Sequence, residues 1–558
     1  MLHAHYPKWF ERRLVSNQQA LDACVTSGTR IASGFATSEP HTFYSTLWDH
    51  IQAEDLTDIS IRQGLFMAAH RLCVGDALKA EGLLDGLVEN GFSSTSIFGN
   101  LARLANAATK KVDGLSRLIE HFQELRERRV VFVSAFLGQA SNMMIPSNAI
   151  TNVMAPDFVG RNPSRMGIVD MQSVHFPDAV DSVMREPDGR MKVNLVVLVM
   201  TPPDETGVMS HGVANGATAD ALAAGLVDEA TKILLYVNDR YPFTFGYGDA
   251  PNTLPIDAFQ DAAKQGRLFV VEDEAAIPAL PAGAFDHPAE TEVAIAKLVV
   301  DHIEANLDFT AGRALQVGIG GTGVLAIKGL IDSSWRGRVY TEMLEPFTLR
   351  LYEAGKLDGS HFIERNGTRT DLPGKIVCTF TLGEAGTDFY EKMHKNPDLI
   401  LAPASRVVIP EGFYRGMGIN NILGIDFQGH VNSGGRGHNH YSGIGGAAAI
   451  NRGLGRGGVA YLCMKSTHTG LDGKRYSSVF PFLPEGTPVS LTGPDLMGTR
   501  EGARFFLATE QGVVRINALS QADFIRAIIS VAHPDFREEL ERRAFDEFRV
   551  RFRTPIEE

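Results

Sequence analysis

The chain has 558 residues, 44% of them hydrophobic and 21% charged, the composition of a globular protein of roughly two to four domains. Its net charge of −13 argues against a protein held to nucleic acid by phosphate contacts, although a local basic pocket for an anionic ligand remains compatible with it. The 56 glycines are about 10% of the chain against an ordinary ~7%, which puts weight on loops.

The first residues, Met1-Leu2-His3-Ala4-His5-Tyr6-Pro7-Lys8-Trp9, hold no apolar signal core, and no run of about 18 apolar residues follows. Cys24, Cys73, Cys378 and Cys463 are far apart and form no C-x-x-C pair, so neither a disulfide framework nor structural zinc is expected. A cytoplasmic protein without a membrane segment is the expectation. Residues 130–136, 195–200 and 233–237 are short β-branched apolar runs of the kind that form buried parallel strands, and residues 218–232 have helical spacing. Pro278, Pro281, Gly283 and Pro288 mark a joint. An N-terminal α/β domain at 1–275, a linker at 276–290 and a C-terminal α/β domain at 291–558 are therefore expected. In the second half, residues 289–306 and 324–331 read as helices, and 314–317 and 338–342 as strands. Such alternation points to the α/β class with mainly parallel sheets.

Glu342 ends the last of these strands, and glycine loops crowd the same half of the chain. Gly318-Ile319-Gly320-Gly321-Thr322-Gly323 follows a strand, opens a helix and lies about 20 residues before Glu342, which is the context of a dinucleotide-binding turn. The same backbone donors at a helix start also suit the oxyanion of an acyl-transfer intermediate. A second cluster, Ser442-Gly443-Ile444-Gly445-Gly446, favours acyl transfer, since a dinucleotide fold does not require it. Tight turns, a dinucleotide site for an NAD-dependent oxidoreductase and an acyl-transfer site all stay open on the pattern alone.

At these residues the chain resembles the acetyl-CoA hydrolase/transferase family. The likeness rests on segments in a common order: Thr201-Pro202-Pro203-Asp204-Glu205-Thr206-Gly207, Ser210-His211-Gly212-Val213, Val237-Asn238-Asp239-Arg240-Tyr241-Pro242, Leu315-Gln316-Val317-Gly318-Ile319-Gly320, Tyr340-Thr341-Glu342-Met343, Asp426-Phe427-Gln428-Gly429-His430-Val431-Asn432, Ser442-Gly443-Ile444-Gly445-Gly446 and Ala532-His533-Pro534-Asp535-Phe536-Arg537. The resemblance implies two similar α/β domains with the active site at their interface, a homodimer, and acyl-CoA and a carboxylate acceptor as partners. It implies a ping-pong CoA-transferase in which Glu342 passes through an acyl-glutamyl anhydride and a glutamyl-CoA thioester, with an acyl-CoA hydrolase as the neighbouring alternative. Coenzyme A is then a substrate and transient covalent adduct, and no tightly bound cofactor is expected. Oxyanion donors are expected at Ile319, Gly320, Gly445 and Gly446, and substrate contacts at Gly318, Gly443, His438 and His440.

Where relatives commonly carry Gln or Ser and then Asp-Phe, this chain has Ala447-Ala448-Ala449-Ile450, which points to a less polar or larger acyl group than acetate. Gly434-Gly435-Arg436-Gly437-His438-Asn439-His440 points the other way, to a second carboxylate on a diacid. His438 and His440 have no third ligand at a recognisable spacing, so no metal is expected. His211 and His533 read as structural, and Glu384 as a residue near a helix start. Arg452, Arg456 and Lys474 read as solvated charges or contacts to CoA phosphates. Residues 537–551 read as an amphipathic surface or subunit-contact helix.

Overall fold

The structure is a computed structural model that describes residues 6–66, 71–75, 120–121, 123–137, 169–172, 174–248, 250–280, 282–318, 320–359, 361–365, 368–372, 374–436, 439–440, 443–470 and 473–552. The apolar runs become strands in it. Leu195–Met200 is buried at every position, as a strand covered on both faces must be. Parallel pairing places the strands in the order Val169–Met171, Val131–Leu137, Ser60–Phe66, Arg30–Ser33, Leu195–Met200, Lys232–Val237, Leu268–Glu272. The first strand of the chain thus stands in the middle of its sheet, with later strands added first on one side and then on the other.

The chain divides into two compact units, Met1–Ala284 with Val377–Val407 and Phe285–Ile376 with Val408–Glu558. The second unit repeats the pattern of the first. Ala314–Val317 lies between Arg338–Tyr340 on one side and Met417–Asn421 on the other, and Val459–Cys463 and Arg504–Thr509 extend the parallel array. Gly512–Arg515 closes it with an antiparallel edge. In an open sheet of this kind a crevice forms beyond the carboxyl ends of the strands where the direction of addition reverses. Here that point lies between Val317 and Asn420, which is where the Gly318–Gly323 turn leaves the sheet. Mainly parallel α/β architecture is therefore as expected.

Several boundaries move for local reasons. The helix expected over 218–232 is Thr218–Val227, because Asp228 turns extended and Lys232 joins a strand, donating its N–H to Asn194 O at 3.0 Å. The helix expected to begin at 324 begins at Gly321, with Gly320 preceding it at φ +137°, a value that favours glycine. Glu290–Glu304 buries Ile295, Ala296, Val299 and Ile303 along one stripe and packs on Gly321–Asp332. That contact is close, since a Cβ on Gly329 would stand 2.9 Å from Val300 Cγ2. The C-terminal helix is Pro534–Phe548, capped at its start by His533. No helix among the described residues is long and apolar enough to cross a membrane.

Candidate active site

Glu342 is held between two fixed points only a few residues apart. The strand expected over 338–342 ends at Tyr340, so Glu342 stands on a bend just beyond it. There the Thr341 hydroxyl donates to Met343 O at 3.0 Å and lies 3.4 Å from both Val317 N and Val317 O. That contact puts the bend beside the residue from which the glycine loop departs. Three residues later Glu345 opens the helix Pro346–Glu353. Its carboxylate accepts the N–H groups of Phe347 at 2.7 Å and Thr348 at 2.9 Å, together with the Thr348 hydroxyl.

The Glu342 carboxylate lies against the second glycine cluster. The Gly446 N–H donates to it. A Cβ on Gly446 would come 2.2 Å from Glu342 Oε2, 2.4 Å from Val408 Cγ1 and 3.2 Å from Ile450 Cδ1, so only glycine leaves the oxygen this close to the backbone. Gly445 adopts φ +56°, and its Cβ position is 3.4 Å from Glu342 Oε1. Gly446 also starts the helix Ala447–Leu454, whose N-terminus favours a negative charge. Burial raises the Glu342 pKa from the ordinary carboxylate range to about 7, and the Gly446 N–H works against that rise. A half-buried carboxylate with a raised pKa thus stands with a backbone donor directed at it.

The other expected residues fall into four groups. Gly445 and Gly446 meet Glu342, as just described. Gly318 and Gly320 stand against the neighbouring strand end, with their Cβ positions 2.8 Å from Asn420 Oδ1 and 2.3 Å from Asn421 Nδ2. Gly443 lies half-buried two residues before Gly445. Ile319 and His438 lie outside the described residues, and of His440 only the backbone is described, in a short strand paired with Gly435–Arg436.

Residues with a structural reading find structural partners. His533 accepts the N–H of Asp535. Glu384 accepts the N–H of Gly283 at 2.7 Å, so it fastens that loop. Arg456 pairs with Glu501 at 2.6 Å and stacks on Tyr414, while Arg452 and Lys474 are exposed. His211 is buried, and burial lowers its pKa to about 4.

Two features were not anticipated from the sequence. Glu345, buried with its pKa raised to about 7 by burial, reads in sequence like any helix-capping acid. Its signal was the Pro346 that follows, a common first residue of a helix. The second is the pair Asp426–His430, in which the buried carboxylate accepts from the imidazole Nδ1 at 3.1 Å and so fixes the tautomer.

Comparison with known proteins follows this geometry. Residues 386–544 match the acetyl-CoA hydrolase/transferase C-terminal domain. That stretch contains Gly445 and Gly446, and Glu342 precedes it. The chain is 28% identical over 361 residues to butyryl-CoA:acetate CoA-transferase of Anaerostipes caccae, covering 62% of this chain and 71% of that one. It is 27% identical over 404 residues to 4-hydroxybutyrate coenzyme A transferase of Clostridium kluyveri, covering 71% and 81%. In fold it is similar to the crystal structure of RipA from Yersinia pestis, with a TM-score of 0.67 at 20% identity over 97% of this chain and 99% of that one. The resemblance to the acetyl-CoA hydrolase/transferase family holds, and with it the expectation of an enzyme.

Proposed function

We propose that this protein is an acyl-CoA:carboxylate CoA-transferase with Glu342 as its nucleophile. The observation that carries the reading is the Glu342 carboxylate seated on Gly445–Gly446, with the Gly446 N–H donating to it at the start of a helix. Relatives named for CoA transfer support the reaction class.

A carboxylate oxygen of Glu342 attacks the thioester carbonyl, the C–S bond breaks, and an acyl-glutamyl anhydride and CoA thiolate result. The thiolate then attacks the Glu342 carbonyl carbon and releases the first carboxylate, leaving CoA on Glu342 as a thioester. An acceptor carboxylate attacks that thioester and expels the thiolate, giving a second anhydride. Attack of the thiolate on the acceptor's acyl carbon returns a new acyl-CoA and free Glu342. One difficult exchange is divided into easier ones, as covalent catalysis does generally. Each step builds negative charge on a carbonyl oxygen, and backbone donors such as Gly446 N–H suit that charge, one donor being worth about 10²–10³ in rate.

The name of the matched domain also embraces hydrolysis, in which water takes the acceptor's place at the same thioester. Incubation with acyl-CoA alone, borohydride reduction and peptide mass spectrometry test the shared intermediate. The expected result is a reduced residue at 342. An unmodified Glu342 across a broad panel of thioesters, with CoA still bound, refutes the mechanism. Release of free acid with and without an added carboxylate then separates transfer from hydrolysis.

A further inference from the structure

The amino ends of the strands in the second unit carry positive charge that the site at Glu342 does not use. Arg313 stands directly before the strand Ala314–Val317, Arg415 two residues before Met417–Asn421, Gly457 two residues before Val459–Cys463, and Arg504 opens Arg504–Thr509. These strands are parallel neighbours, so the four positions gather at one end of the sheet. The Glu342 bend follows the carboxyl end of Arg338–Tyr340, a parallel neighbour of the same array. Strands of four to six residues lie between the two ends, a span of about 13–20 Å. At the amino end Arg313, Arg415, Gly457 and Glu501 line an open cleft of about 390 Å³. Its walls are fastened to one another. The Arg313 guanidinium donates to Arg415 O and Gly457 O, each at 2.7 Å, and to Phe309 O. Arg415 N donates to Arg456 O, and Gly457 N to Arg500 O, both at 3.0 Å. A Cβ on Gly457 would stand 3.1 Å from Arg415 Cγ, so glycine keeps that wall open. Two guanidinium groups are steadied by rings, Arg456 over Tyr414 at 4.7 Å and Arg504 over Phe309 at 4.0 Å.

The charges here do not balance. Glu501 accepts from Arg456 at 2.6 Å and from Arg415 at 3.3 Å. The guanidinium groups of Arg313 and Arg504 have no carboxylate partner among the described residues. Burial, and then the charge of Arg504, lower the Arg313 pKa, with only the Tyr461 phenol acting the other way. Four guanidinium groups thus share one carboxylate, in a chain whose net charge is −13. Arg415 and Glu501 also hold left-handed backbone, φ +56° and +52°, a cost borne where a position is fixed by its surroundings or by its task. We propose that this cleft is a second binding site, separate from the one at Glu342, for the diphosphate group of a small molecule. A guanidinium fork matches the oxygens of a phosphate two at a time. A monocarboxylate would bring one charge and leave the remaining excess uncompensated, whereas a diphosphate spreads several charges over adjacent groups. The cleft lies within the roughly 300–1,000 Å³ of small-molecule sites. The proposal does not depend on the transferase reading.

The test is isothermal titration calorimetry on the full-length protein with pyrophosphate, with ADP and, as a singly charged control, with acetate. Pyrophosphate, ADP or both are expected to bind at this cleft, and acetate is not. ADP binding about tenfold or more tighter than pyrophosphate assigns the ligand to the nucleoside diphosphates, and pyrophosphate binding as tightly as ADP assigns it to free diphosphate. Arg415→Ala removes one guanidinium from an exposed position and is expected to weaken binding about tenfold or more. The same variant is expected to leave the loading of CoA onto Glu342 unchanged. Glu501→Gln removes the one competing carboxylate and is expected to tighten binding several-fold, which a merely structural role for the arginines does not predict. The proposal is overturned if neither pyrophosphate nor ADP binds, if acetate binds as tightly as they do, if Arg415→Ala leaves their affinity unchanged, or if Glu501→Gln fails to strengthen it. Loss of CoA loading together with pyrophosphate binding in Arg415→Ala also overturns it, since the cleft would then belong to the thioester site. The wild-type titrations stand whether or not Glu342 is loaded by any thioester, so failure of the transferase reading and failure of this proposal are told apart.

Discussion

At the scale of single residues, Glu342 is a carboxylate whose surroundings oppose its charge and whose one described backbone donor supports it. Replacing it with Gln keeps the shape and removes the proposed nucleophile. Glu342→Gln is expected to lower the rate of CoA transfer by at least about 10³-fold while thioester binding persists, checked by turnover and by equilibrium binding of CoA. In the proposed mechanism the reactive form is the ionised one, and burial raises the pKa to about 7. The rate of glutamyl-thioester formation should therefore climb with pH through about 7 and level off above it, as a stopped-flow pH profile would show. A profile already flat from pH 5 upward would mean that Glu342 is ionised throughout and that its burial does not control the reaction.

At the scale of elements, two helix starts hold the site, one beneath the chain that carries Glu342 and one in front of its oxygen. Gly446→Ala places a methyl group where the Glu342 oxygen and Val408 now lie. The carboxylate must shift away from the helix N-terminus, and a loss of about 10²-fold or more in transfer rate is expected in steady-state assays. Glu345 anchors the other helix through three donors, so Glu345→Ala should cost about 1–3 kcal/mol in denaturant unfolding. The pH dependence of that contribution has a definite sign. Burial raises the folded-state pKa of Glu345 from 4.5 to about 7, so the folded protein holds this proton more tightly than the unfolded chain does. Its contribution is fully present below about pH 4.5 and is lost as pH climbs through about 7, by an amount on the order of 3 kcal/mol. Glu345→Gln should remove that part of the decline, which melting curves between pH 5 and 8 would reveal.

At the scale of the whole molecule, each unit starts its parallel sheet from the middle strand and adds strands on both sides. In the second unit this brings the start of the glycine turn at Gly318, the Glu342 bend and the Asn420–Asn421 strand end to the carboxyl ends of neighbouring central strands of one sheet. The two ligand classes that a glycine turn of this kind suits are separable by thermal shift. CoA at saturating concentration is expected to raise the melting temperature, and NAD at the same concentration to leave it unchanged. Stabilisation by NAD alone would return the glycine turn to dinucleotide binding.

The strands of 195–200 and 314–317 were legible in sequence to the residue, because a buried parallel strand is an unbroken apolar run bounded by polar or glycine residues. The proximity of Glu342 to the Gly445–Gly446 cluster matches the sequence expectation too, since order along the chain preserves a motif. Element ends were less legible. The Glu342 strand stops at Tyr340, and the Thr341 side chain just beyond it contacts the backbone of Val317, a residue 24 positions earlier that no local pattern announces. The same limit hid Glu345, whose burial depends on what surrounds it and not on its neighbours in sequence. By itself the sequence determined the α/β class, the mainly parallel strands and the positions of Glu342 and the glycine turns along the chain, because periodicity, turn residues and motif order are local properties. Only the tertiary structure decided that residues 377–407 pack with the first unit, and that Gly446, 104 positions beyond Glu342, is the glycine whose N–H meets it. A hydrogen bond and the loss of solvent that raises the carboxyl pKa are set by distances through space, and those exist only once the chain has folded.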